Sequence, residues 1–118
     1  MEPIEINTKL LEFIPKISDL FNTATKSQDG LDTGSTVVIE DVFMVYLKEC
    51  IEKNRTDELI NCTNFIEWLS DFINDNYAGD VLIISIFEYI HFSDSKEELE
   101  KVLGPKAKEK YDSIKWNV

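Results

Sequence analysis

The sequence predicts an all-α fold, a single-domain helical bundle or short helical-repeat-like stack of five to seven helices. Three observations predict it. Apolar residues recur at i, i+3, i+4 and i+7 along much of the chain. The segments between these runs are short and carry Gly, Pro, Asp and Ser. The length, 118 residues, suits one domain, and 43% hydrophobic with 11% aromatic residues is globular composition.

Asn7 or Thr8 is a candidate cap for a short first helix with Leu10, Leu11, Phe13 and Ile14 on its apolar side. Pro15 interrupts it, because proline lacks the N–H and disfavours helix in the residue before it. A second helix then covers about residues 15–25 on Ile17, Leu20 and Phe21. Residues 26–35 (KSQDGLDTGS) read as a flexible loop.

A third helix is expected over about residues 36–53, with Ile39, Val42, Phe43, Tyr46, Leu47, Cys50 and Ile51 at helical spacing. Val37-Val38-Ile39 alone would suit a strand, but length and period favour a helix. The fourth helix, about residues 56–74, shows one apolar stripe of Cys62, Phe65, Ile66, Leu69, Phe72 and Ile73. Asn64, Glu67, Asp71 and Asp75 share its opposite face.

Residues 78–92 are nearly all apolar and rich in β-branched side chains, so a buried strand is an alternative. Ser85, Glu88 and His91 recur every three positions, which fits a narrow polar stripe on a central, most buried helix. Residues 93–95 offer a cap and residues 96–103 a short helix. Gly104 stops it, and Pro105 opens the last helix. No repeat of fixed period is present, so a solenoid is not supported.

Charge is distributed unevenly. Residues 27–95 hold fourteen acids and three bases, Lys48, Lys53 and Arg55, which accounts for the whole net charge of -11. From residue 56 to residue 95 there are eight acids and no Lys or Arg. Such a surface repels nucleic acid and anionic membrane and attracts basic proteins. Net charge also keeps copies of a small protein apart, but a helix serving only that end mixes signs, because like charges four apart destabilise it slightly.

Enzyme chemistry finds little to use, and no catalytic residue is assigned. There is no Gly-rich phosphate loop, no nucleophile elbow and no metal-ligand pair at helical spacing. His91 stands alone. The loop from Asp29 imitates a calcium loop at Thr33, Gly34 and Glu40, but Leu31 and Val37 occupy positions that need side-chain oxygens. Cys50 and Cys62 sit in apolar stretches and read as buried free thiols. No metal or cofactor is expected. No apolar run approaches the roughly 20 residues of a membrane span, and the acidic N-terminus has no signal-like apolar region, so a cytoplasmic protein is expected.

Phe65-Ile66-Glu67-Trp68-Leu69, then Ile86-Phe87-Glu88-Tyr89-Ile90, then Leu103-Gly104-Pro105-Lys106 with Tyr111 and Trp116 form a pattern. It resembles that of the small acidic, all-helical bacterial immunity proteins of polymorphic toxin and contact-dependent growth inhibition systems. The resemblance covers about residues 56–118. It implies a monomer that binds a cognate toxin in a 1:1 complex. If the toxin is a nuclease, its active site is basic, and an acidic helical surface would cover it. The expected partner-binding residues are Glu67, Asp71, Asp75 and Asp80, with Tyr77 as an aromatic anchor. Two other functions fit the same acidity: an acidic adaptor or regulatory protein-binding domain, and a DNA mimic that inhibits a DNA-binding enzyme.

Overall fold

Several helix starts are set by identifiable polar groups, and these explain where some of the expected boundaries move. In the computed structural model, which describes residues 1–116, the first helix, α1 (Pro3–Phe13), begins well before the expected cap at Asn7 or Thr8. Pro3 has no N–H to satisfy at that position, and Glu5 reaches back to accept the Glu2 N–H at 3.2 Å. Asn7 is buried within α1. Its side-chain amide donates to the carbonyls of Leu31 at 2.9 Å and Thr33 at 2.7 Å. The 26–35 segment, read as a plain loop, is thereby pinned, with a 3₁₀ turn over Gly30–Asp32.

Pro15 closes α1 as expected, and a 3₁₀ turn over Pro15–Ile17 leads into α2 (Ser18–Thr25). The third helix, α3, runs continuously over residues 35–52 as Ser35–Val38, a π-helical segment Ile39–Phe43, and Met44–Glu52. Its Val-rich start is helical. It ends in a Schellman motif: Asn54 takes a left-handed φ of 52°, its N–H donates to the Ile51 carbonyl at 3.2 Å, and the Arg55 N–H donates to Cys50 at 2.9 Å.

The fourth helix, α4 (Thr56–Ser70), stops short of the expected end at residue 74. Asp75 is the reason. Its carboxylate accepts the Ala78 N–H at 2.9 Å and starts the next helix. Just beyond, a Cβ on Gly79 would stand 2.3 Å from the Ile73 carbonyl oxygen, so the turn over residues 71–74 closes only against glycine.

That next helix, α5, covers residues 76–91 as Asn76–Asp80, a long π-helical run Val81–Glu88, and Tyr89–His91. With α6 (Lys96–Glu100) and α7 (Pro105–Asp112) it completes seven helices, with no strand among the described residues. The polar stripe expected on α5 is corrected. Ser85 is fully buried and its hydroxyl has no partner, whereas Ile84 is 51% exposed. A π turn holds more residues than an α turn, so positions three apart no longer share a face. Nor is α5 buried all round, since Asp80 and Ile84 face solvent.

The core centres on Phe65 of α4. Its ring meets Phe43 of α3 at 5.2 Å and Phe13 of α1 at 6.2 Å between centroids. Phe65 is fully buried, and removing such a ring costs about 3–5 kcal/mol. Tyr46 donates to the buried Glu58 carboxylate at 2.7 Å, tying α3 to α4. Cys50 and Cys62 are free and buried, and burial pushes the Cys62 thiol up to about 12.

α7 is capped from another helix. Pro105 leaves the Lys106 and Ala107 N–H groups open at the helix start, and the Glu67 carboxylate of α4 accepts them at 3.1 and 2.9 Å. Gly104 lets the carboxylate in, because a Cβ there would lie 2.5 Å from the Glu67 carboxyl carbon. Glu67→Ala should therefore destabilise the fold by about 1–2 kcal/mol. Gly104→Ala should lose a similar amount by displacing the carboxylate, and the double variant no more than the worse single one. Urea unfolding followed by circular dichroism measures this, and additive losses would show that the two residues act separately.

Candidate functional site

Of the five residues expected to bind a partner, four make contacts within the fold. Glu67 is engaged as the cap of α7. Asp71 is exposed but pairs with Lys106 at 3.0 Å, so the last helix supplies the base that the local sequence lacks. Asp75 caps α5 and accepts the Met1 amine at 3.0 Å. Its carboxyl is held below the usual range, first by the Ala78 N–H and then by that amine. The Tyr77 hydroxyl accepts the Ser35 N–H at 2.8 Å. Asp80 alone is exposed with no ion pair among the described residues.

Asp80 belongs to a different surface. α3 and α5 are parallel neighbours: Tyr77 meets Ser35 where both begin, and Lys48 donates to the Tyr89 hydroxyl at 2.9 Å near their ends. Their π-helical segments lie against each other, and their buried sides share the core below. The outward ridges therefore stand side by side. α3 contributes Val37, Glu40, Asp41 and Val45, and α5 contributes Asp80, Ile84 and Glu88, with Phe92 just past its end. Val45 is 50% exposed and Phe92 62%.

The four carboxylates of this face form no ion pairs among the described residues. Its one base, Lys48, is directed at Tyr89. Both ridges come from sequence without Lys or Arg, residues 27–47 and 56–95. A four-residue spacing of Val37, Asp41 and Val45, and of Asp80, Ile84, Glu88 and Phe92, is the signal that marks them.

The family comparison adds a placement for the whole fold. DUF7674, described as a domain of unknown function, matches residues 7–117. The chain belongs to the DUF7674 family. No curated protein and no solved structure matches it.

In this DUF7674 chain no group of three or more His, Cys, Asp or Glu side chains could hold a metal ion among the described residues. His91 stacks on Trp116 with centroids 4.2 Å apart and planes at 7°, which seats the end of the described chain on α5. A cleft of about 340 Å³ lies between the end of α3, α4 and α6, lined by Leu59, Ile60, Thr63 and Val102. Glu98 and Lys101 on its rim pair with each other at 3.4 Å.

This allocation separates carboxylates and hydroxyls that hold the fold from those that do not. Tyr77→Phe should lower stability by about 1 kcal/mol, because the Ser35 N–H loses its acceptor. Asp41→Lys and Asp80→Lys should leave the melting temperature unchanged. Thermal unfolding of the three variants checks the division, and a large loss in either aspartate variant would contradict it.

Proposed function

We propose that this DUF7674 chain is a protein-binding inhibitor of the immunity type. It would neutralise a toxin by laying the α3–α5 face over a basic active site, that of a nuclease being the most specific form. One observation carries the reading. On a single face, Val37, Val45 and Ile84 stand among Glu40, Asp41, Asp80 and Glu88, and the face has no base free to pair with them.

The physical division of labour is familiar from tight inhibitors. Apolar residues at the middle of an interface supply contact area, and charges around them steer approach and set the register. A nuclease site attracts phosphates and is basic for that reason. The motifs of the tail resemblance, with Glu67 and Gly104-Pro105-Lys106, are accounted for by the cap on α7. They support a shared fold, and the binding role rests on the face.

A mimic of DNA phosphates would place carboxylates along the middle, where Val45 and Ile84 stand. An adaptor would use the same face for several partners. Co-expression decides between them: the reading frame immediately upstream should be toxic in a bacterium, and this chain should relieve the toxicity. The triple variant Asp41→Lys, Asp80→Lys, Glu88→Lys should lose that protection, while Asp71→Lys keeps it. Absence of toxicity, or full protection by the triple variant, would overturn the proposal.

A further inference from the structure

The C-terminal end of the α3–α5 face has a chemistry of its own. A cleft of about 400 Å³ opens there, lined by Tyr89, Phe92, Ser93 and Asp94. Phe92 stands out from the surface with 62% of its area exposed. Its ring is propped edge-on by His91, with centroids 4.7 Å apart, and by Trp116 at 6.0 Å. Because His91 and Trp116 stack on each other, the ring is held in place, and its protrusion is built in.

Two aromatic faces beside a carboxylate attract cations. Ring quadrupoles favour positive charge over their faces, and guanidinium groups stack on them well. Lys48 reaches from α3 to the Tyr89 hydroxyl, with its ammonium 2.9 Å from the hydroxyl oxygen and 5.3 Å from the ring centroid, so it sits past the hydroxyl and leaves the ring face open. That ammonium holds its proton more tightly than an ordinary lysine, chiefly through the Tyr89 hydroxyl, with Glu52 and Asp94 adding to it. Asp94 is exposed and makes no ion pair among the described residues.

We infer that the Tyr89–Phe92–Asp94 cleft receives an arginine side chain from the basic partner, and that Lys48 is its internal placeholder in the free protein. The inference rests on the reading of the α3–α5 face as a binding surface for a basic protein. The incoming guanidinium would stack against Phe92, pair with Asp94 and compete with Lys48 for the Tyr89 hydroxyl. A cationic anchor at one end of the ridge would set the register of the partner along it.

The test uses the full chain and an acetylated hexa-arginine peptide at low salt, followed by backbone amide shifts. The largest shifts are expected at Lys48, Tyr89, Phe92 and Asp94. Phe92→Ala and Asp94→Asn should each weaken binding by about two- to fivefold, the size of a solvent-exposed cation–π or ion-pair contact. Lys48→Met should tighten binding more than Lys9→Met, which makes the same change of charge on α1. Equal effects of the two lysine variants would overturn the placeholder role. Shifts centred on Asp41, Val45 and Ile84, with Phe92→Ala and Asp94→Asn without effect, would remove the arginine cleft and leave the acidic face standing. No binding at low salt would remove both.

Discussion

The parallel pairing of α3 and α5 is the constraint on which the surface of this protein depends. Tyr77 ties the two helix starts together through the Ser35 N–H, and Lys48 ties the far ends through Tyr89. Between these ties, two π-helical segments lie side by side over the core. π turns are uncommon and often mark functional positions. Here they decide which residues of two largely apolar helices turn outward. Without the pairing, the stretches of the chain without Lys or Arg would not meet, and their carboxylates would be scattered.

A second consequence is a division among the acids. Between residues 56 and 95 the sequence shows eight acids and no Lys or Arg. Folding engages half of them: Glu58 takes the Tyr46 hydroxyl, Glu67 caps α7, Asp71 pairs with Lys106, and Asp75 caps α5. For Glu67 and Asp71 the donors come from α7, distant in sequence, whereas Asp75 takes the nearby Ala78 N–H. A carboxylate on two backbone N–H groups does structural work at a helix start. Asp57, Asp80, Glu88 and Asp94 remain, and of these Asp80 and Glu88 join Glu40 and Asp41 of α3 as the part left for a partner on the α3–α5 face. The net charge of -11 therefore overstates the acidity of α4 and understates how concentrated it is on the α3–α5 face.

The helices themselves were legible because their signals are local. Pro15, the Gly and Asp of residues 26–35, Gly104 and Pro105 punctuate the chain where the structure breaks, and apolar periodicity marks α3 and α4 well. Much of the rest depends on interactions between residues far apart in sequence. Nothing near Glu67 announces that its partners are Lys106 and Ala107, nor does Asn7 reveal its role in holding Leu31 and Thr33. The end of α4 is hidden because Asp75 continues the four-residue spacing of the helix-face acids although its carboxylate caps α5. The π run in α5 is hidden for a different reason. A stretch of almost uninterrupted apolar residues carries no period, so the outward position of Ile84 and the inward position of Ser85 could not be told apart.

The central claim is that the free negative charge is gathered over α3 and α5 and not along α4. Paired cationic and anionic paramagnetic cosolutes, read by their effect on amide proton relaxation, measure the potential at each residue without a partner. The account predicts the strongest preference for the cationic probe at residues 37–45 and 80–88, with residues 64–75 closer to neutral because Lys106 and the helix donors offset their acids. A maximum over residues 64–75 would contradict it, and would return the binding face to α4.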